Sequence, residues 1–284
     1  MRPVQLFCDS TADIPVEEMK RLQVKMIPLE VIVHGKAYRD LVDLDWKGLH
    51  PLIEQYNEIP KTSAINRMTY EMAFAPYLEQ GYDIVVLCLG SHFSSTFEHA
   101  SLVEQAHPGR VYALDSLNLS SAQGLLVYEM ARLRDEGKSA GEIASTLKQE
   151  IPLAVTETSM ETMEYLHKGG RCSGLKLKLS NLLKLYPIVK VKDGILRVYK
   201  IARGKFVNAL KVQLEDFKAE LKKGNVVLHN IIVSTVGNYE AQSYLYNEIT
   251  KLVDPAIVHR FDAGCVVGAH CGPGTTGLFY LKKA

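Results

Sequence analysis

The residues of this chain that could do chemistry are hydroxyls set at the ends of apolar runs. Gln5-Leu6-Phe7-Cys8 ends in Asp9-Ser10, Ile84 to Leu89 ends in Gly90-Ser91 with Ser94-Ser95-Thr96 close behind, and Val111 to Leu114 ends in Asp115-Ser116. If these runs are parallel strands, their carboxyl ends share the sheet edge where open α/β sheets take ligands. A row of hydroxyls there, without a nucleotide-type glycine loop, suits a small anion gripped by hydroxyls and helix-start amides. That is the chemistry of binding before it is the chemistry of catalysis.

Three further groups add to it. Pro60-Lys61-Thr62-Ser63 reads as a loop between helices, where Thr62 or Ser63 caps the next helix. Capping is compatible with holding a carboxylate, because a helix start offers free amides and positive dipole. Ser94-Ser95-Thr96 carries the same dual reading. Lys168-Gly169-Gly170-Arg171-Cys172-Ser173 stops a helix with glycine and then presents an arginine, whose planar fork suits carboxylate or phosphate oxygens. His270 precedes the glycine-rich stretch Gly272 to Gly277, as either a hydrogen-bonded structural histidine or a ligand contact. Asp9 and Asp115 read as turn and cap residues, since no second carboxylate lies at a spacing that suggests an acid/base pair.

Other chemistries lack their patterns. Gly272-Pro273-Gly274-Thr275-Thr276-Gly277 formally matches G-x-G-x-x-G, yet a short strand rather than a helix follows it, so a tight turn is expected. No G-x-S-x-G elbow, H-E-x-x-H or phosphate-binding P-loop occurs. Cys265, His270 and Cys271 lack a convincing fourth metal ligand, and no metal or cofactor is expected. The formal charge of +1 argues against a dedicated nucleic-acid binder. Five scattered cysteines without a C-x-x-C pair fit a reduced, cytoplasmic compartment. Neither a signal peptide nor an apolar stretch near the ~18 residues of a membrane span is evident, which leaves transient membrane-surface contact as the one membrane association open to it. Charge is uneven: Lys168 to Lys205 holds eleven Lys or Arg against one acid, Asp193. Such a run is a solvated face, a docking surface for an acidic partner or an electrostatic guide for phosphate.

The elements that must position these groups follow from pattern. With 284 residues, 47% of them hydrophobic, two domains are expected. Residues 1–152 alternate strand and helix: a helix from Val16 to Leu22 behind Asp13 and Pro15, a strand from Met26 to Gly35, and helices over Trp46–Tyr56, Met68–Gln80, Ser94–Gln105, Leu119–Arg134 and Ser139–Glu150. This predicts an N-terminal parallel sheet flanked by helices. Residues 153–284 read as a C-terminal mixed α/β sheet. Its strands lie over Leu153–Thr158, Leu185–Val191, Ile195–Lys200, Ile231–Thr235, Ala256–Phe261 and Leu278–Leu281, with an Asp193-Gly194 hairpin and helices at Met160–Lys168, Lys205–Lys222 and Tyr239–Val253.

Taken in order, these segments resemble the DegV family of bacterial fatty-acid-binding proteins. The resemblance runs almost end to end: Asp9-Ser10-Thr11-Ala12-Asp13-Ile14-Pro15, Tyr38-Arg39-Asp40, Pro60-Lys61-Thr62-Ser63, Ser94-Ser95-Thr96-Phe97, Asp115-Ser116, Tyr165 to Ser173, Lys190 to Gly194 and Gly268-Ala269-His270-Cys271-Gly272-Pro273-Gly274. It implies a two-domain α/β protein that buries one long-chain fatty acid between its domains, with the carboxylate held by Thr62, Ser94 and His270 and with Ser63, Ser95 and Thr96 beside them. It also implies a subunit without a complete active site, which presents the acyl carboxylate to a separate ATP-binding fatty acid kinase subunit for acyl-phosphate formation, with Arg171 near the head group and the kinase surface. Three segments depart from the family pattern. Ser95 stands where glycine is usual, so a loop needing positive φ would be strained there. Ala64-Ile65-Asn66 replaces Gln-Pro-Ser/Thr, and Tyr186 stands where lysine is common. Two rival readings remain beside this one: an autonomous acyl hydrolase or transferase using Ser94 or Ser91 with His92 or His270, and a lipid store or sensor without a kinase partner.

Overall fold

The computed structural model describes residues 2–171 and 184–283. Cys172 and Ser173 of the glycine-arginine motif, and Lys176 and Lys178 of the basic run, lie outside the described residues. The fold is two-domain α/β. Strands β1 (Val4–Asp9), β2 (Val24–Ile27), β6 (Asp83–Cys88) and β7 (Val111–Asp115) form a parallel sheet in the order β2-β1-β6-β7. A small antiparallel sheet, β4-β3-β5, is built from β3 (Glu30–Val33), β4 (Lys36–Arg39) and β5 (Lys61–Ser63). The second half makes a six-stranded mixed sheet in the order β10-β9-β8-β13-β11-β12. Its strands are β8 (Ala154–Ser159), β9 (Leu185–Lys192), β10 (Ile195–Arg203), β11 (Val226–Thr235), β12 (Val258–Asp262) and β13 (Thr276–Lys282).

Helices fill the layers. Outside the parallel sheet lie α3 (Arg67–Glu79) and α4 (Thr96–Ala106), whose Tyr70, Phe74, Ala100 and Val103 pack on Phe7, Ile84 and Val86. Between the two large sheets lies α5 (Ser120–Asp135), buried on nearly every side as expected of a helix shared by two layers. The remaining helices of the first half are α1 (Val16–Arg21), α2 (Trp46–Tyr56) and α6 (Ala140–Glu150), the last held by a Ser139–Glu142 capping box. In the second half α7 (Glu164–Lys168) is short, while α8 (Val207–Lys222) and α9 (Tyr239–Ile249) cover the outer face of the mixed sheet. A seven-residue helix, α10 (Cys265–Cys271), runs between β12 and β13.

Four expectations are corrected. The strand expected over Met26 to Gly35 is two strands in different sheets, because Pro28 cannot donate to a ladder and the chain turns there. The loop expected at Lys61-Thr62-Ser63 is strand β5, with Thr62 opposite Val31. The cap of α3 is neither Thr62 nor Ser63 but Asn66, whose Oδ1 accepts from Thr69 N at 2.9 Å. The helix expected from Met160 is confined to α7, and α10 was not anticipated at all. At the expected hairpin, Asp193 (φ 53°) and Gly194 (φ 75°) both take positive φ, as a type I′ turn requires. The tip rests on the first half: a Cβ at Gly194 would lie 2.7 Å from His92 Nδ1.

Within the basic run, Lys190 lies between Glu157 (3.1 Å) and Asp216 (2.8 Å), with Tyr199 below it at 3.7 Å. Burial pushes the Glu157 carboxyl up to about 7 against the pull of Lys190. Part of the run is therefore internal architecture rather than free positive surface.

Candidate functional site

A cleft opens at the carboxyl edge of the parallel sheet, between β1 and β6. In the order β2-β1-β6-β7 this is where the winding reverses, the usual ligand position of an open α/β sheet. Thr11 and Leu89, which follow β1 and β6, line it together with Thr62, Ser63, Ala64, Phe93, Ser94 and Ser95 from the first half. From the second half come Leu166, Arg171, Leu196, Val266, Val267, His270 and Cys271. The space within the cleft and its open mouth together, solvent included, is about 640 Å³. Inward it adjoins a narrower recess past Leu119, Leu196, Val267 and Cys271, lined by Met160, Val236 and Phe279 and also by Thr156, Thr158, Ser234 and Thr275, with a mostly apolar accessible surface. Outward, Thr62, Arg171 and His270 also border a surface groove with Lys61, Tyr165 and Lys168.

The polar end is built from both halves. Strand β5 carries Thr62, and Thr62 Oγ1 and His270 Nε2 share a hydrogen bond of 2.9 Å across 208 positions of sequence. His270 sits in the last turn of α10, with its Nδ1 buried and unpartnered against Gly169. Ser94 Oγ pairs with Thr96 Oγ1 at 2.8 Å and accepts from Thr96 N at 3.2 Å, so the serine hydroxyl is oriented at the start of α4. Ser95 takes φ −76°, and the absence of glycine there costs no left-handed strain. Thr96 is fully buried behind Ser94 and does not reach the cleft wall. Arg171 donates from Nε to Phe93 O at 3.2 Å and from Nη1 to Gly169 O at 2.7 Å. It spans from the α7 side to the Ser94 loop and, among the described residues, is the one permanently charged residue on the cleft wall.

Thr62, Ser63, Ser94, Ser95, Arg171 and His270 thus meet at one cleft, and Thr96 supports it from behind. Of the other strand-end hydroxyls, Ser91 is exposed and does not line the cleft, while Ser10 and Ser116 are taken up internally. Ser10 is buried, donating to Asp40 Oδ2 at 2.8 Å and accepting from Leu29 N. Ser116 is buried and donates to Asn118 O at 2.9 Å. Asp9 caps the turn after β1 by accepting from Thr11 N, and Asp115 accepts from Ser91 N and Leu117 N. Asp9, Asp13 and Asp40 are nevertheless all buried near one another: burial raises the pKa of each, and the charge of Asp9 adds a smaller rise at Asp13 and Asp40. No local spacing betrays the contact. Conversion to a metal site does not follow: among the described residues no group of three His, Cys, Asp or Glu is arranged to hold an ion.

Burial, and secondarily the charge of Arg171, push the His270 imidazole down to about 4, so the free protein holds it neutral at pH 7. A depressed folded-state pKa means that the unfolded chain binds the extra proton first as pH falls through ~6.5. The ligand-free protein should therefore lose stability between pH ~6.5 and about 4, by up to ~3 kcal/mol for this one group. A His270→Gln variant should flatten that window when denaturant midpoints are compared across pH. Parallel curves for the two proteins would contradict the assignment.

Comparisons with known proteins agree with this architecture. A DegV domain-containing protein of Clostridium acetobutylicum is 32% identical over 286 residues, covering all of both chains. A DegV family protein from Thermus thermophilus, described by its fatty acid binding, is similar in structure with a TM-score of 0.89 at 27% identity, again over all of both chains. DegV of Bacillus subtilis, a fatty acid binding protein, gives 0.87 at 26% identity with the same coverage. The DegV family model matches residues 3–283, and on that match and on these full-length likenesses the chain belongs to the DegV family.

Proposed function

We propose that this protein binds one long-chain fatty acid in the cleft, with its carboxylate among Thr62, Ser94 and His270 and its tail in the apolar recess beyond Leu119 and Leu196. The observation that carries the reading is that the cleft bearing these hydroxyls and the imidazole adjoins, through Leu119, Leu196, Val267 and Cys271, a recess whose accessible surface is mostly apolar although Thr156, Thr158, Ser234 and Thr275 also line it. Sequestering a tail from water is worth ~0.8 kcal/mol per methylene, and the buried head must then be hydrogen-bonded. Solved relatives at 26–27% identity that bind fatty acids support the ligand class.

The further step is presentation of the carboxylate to a separate ATP-binding kinase subunit. Its support is the position of Thr62, His270 and Arg171, which border both the cleft and the outer groove, so that a head group there faces a second macromolecule. Autonomous serine hydrolysis finds less support: Ser94 pairs with Thr96, and His270 Nε2 is engaged by Thr62.

Native mass spectrometry of the protein as purified tests the ligand: added mass in the fatty-acid range is expected, and its absence after exposure to oleic or palmitic acid sinks the reading. For the kinase step, Arg171→Ala should reduce acyl-phosphate formation, in an assay with a partner ATPase, more than it reduces fatty-acid binding. Equal losses would make Arg171 part of the carboxylate grip alone.

A further inference from the structure

Helix α10 forms one wall of the cleft: Val266, Val267, His270 and Cys271 all face it. Seven residues with a glycine in the middle have little intrinsic helical stability, so neighbours must fix the helix. At its C-terminal end the bare Gly169 backbone admits the His270 ring, since a Cβ there would lie 2.4 Å from Nδ1. At its middle Gly268 faces the Trp46 ring, 2.3 Å from where a Cβ would be.

Its start is held by two acids from the other half of the molecule. Asp13 Oδ1 accepts from Gly264 N at 2.8 Å, and Asp40 Oδ1 accepts from Cys265 N at 2.6 Å. Asp40 also accepts from Val266 N. Both carboxylates are locked from behind, Asp13 by Ser120 Oγ and Asp40 by Ser10 Oγ. Gly264 has an ordinary φ of −70°, so backbone freedom does not explain the glycine. Proximity does: a Cβ there would lie 2.7 Å from Asp40 Oδ1 and 3.2 Å from Asp13 Oδ1. Two buried acids in close approach are expensive, and the aligned first-turn amides of α10 are what both of them face.

We propose that Asp13 and Asp40 are positioning residues of the head-group site, a carboxylate clamp from the first half that fixes the start of α10 and thereby sets His270 in register with Thr62 and Ser94. The clamp touches no ligand. It matters because Thr62 and Ser94 belong to one half of the chain and the imidazole to the other, so their hydrogen-bonding geometry depends on how the halves are joined. The inference rests on the fatty-acid reading for its binding readout but not for its spectroscopic one.

The test compares Asp40→Leu, which removes the clamp's acceptor, with Asp40→Asn, which keeps an oxygen for Cys265 N and an NH₂ for Ser10 Oγ. Two quantities are read: the imidazole ¹⁵N shifts of His270 in ligand-free protein, and affinities for palmitic acid and its methyl ester. Asp40→Leu should change the His270 signature and weaken the acid by roughly tenfold while moving the ester by less than about twofold, and Asp40→Asn should restore the acid to within about threefold of the parent. Retention of the signature and of acid affinity in Asp40→Leu overturns the proposal, as do equal losses of acid and ester, which would make Asp40 a general fold residue. If Asp40→Leu is not recovered folded, Gly264→Ala takes its place, wedging a methyl against the clamp without removing either acid, and the same two patterns decide. Should the parent bind neither acid nor ester, the ligand reading fails, while the imidazole signature still decides the clamp.

Discussion

Replacing His270 by alanine is expected to weaken binding of a long-chain fatty acid at pH 7 by about 1.5–3 kcal/mol, roughly 10- to 150-fold, and to leave binding of the methyl ester nearly unchanged. The imidazole is the one side chain at the cleft mouth contributed by α10, and it is held neutral in the free protein by burial and by Arg171. An arriving carboxylate supplies the negative charge that favours the protonated ring, so binding should be accompanied by proton uptake and end in a charge-assisted bond. Titration calorimetry in buffers of different ionisation enthalpy reads both quantities. Ser94→Ala should cost less, about 0.5–1.5 kcal/mol, because it removes one neutral hydrogen bond rather than a charge-assisted one. Parent-like affinity for the acid in both variants, or an ester that binds as well as the acid, would refute the head-group assignment.

Gly169→Ala is expected to reproduce most of that loss without altering any residue that touches the ligand. The added methyl would meet His270 Nδ1 at 2.4 Å and Tyr165 O at 3.0 Å. The carbonyl belongs to the backbone of α7 and cannot yield, so the imidazole must turn away and give up its 2.9 Å bond to Thr62. Because φ at Gly169 is −75°, alanine suits the backbone itself, and the effect should be steric and confined to the site. Acid affinity should fall by about 1–3 kcal/mol with the thermal midpoint lowered by no more than a few degrees. A variant that binds the acid normally would show that the ring has room elsewhere in the cleft, and a large fall in midpoint would show that α7 rather than His270 gives way.

Fold and site were legible to different degrees, for physical reasons. Long amphipathic segments such as Trp46–Tyr56 and Ser139–Glu150 announce themselves through apolar spacing and caps, and they form as expected. The Asp193-Gly194 turn was readable because only a positive-φ pair closes that hairpin. Helix α10 was hidden because Cys-Val-Val-Gly-Ala-His-Cys is buried on nearly every side, leaving no polar face to mark a period. Strand β5 was hidden because three residues cannot display alternation. Ser10 and Ser116 were misplaced because a hydroxyl after a strand serves a buried carboxylate or carbonyl as readily as a ligand. Thr62 and His270 were named together only through the family resemblance, since nothing local connects residues 208 positions apart. The Asp40 contact with Cys265, 225 positions away, had no such guide and was missed.

The place of β13 in the mixed sheet bears on how the molecule comes into being. This strand, residues 276–282, lies between β8 and β11, antiparallel to both. Until residues 276–282 have left the ribosome, the parallel sheet can already fold as a unit, but β8 and β11 each keep a bare hydrogen-bonding edge. Such edges are what chaperones shield and what aggregating chains exploit. Since α10 leads directly into β13, the cleft wall and the filling strand arrive together, so in a nascent chain the cleft has no complete wall until the second half has closed.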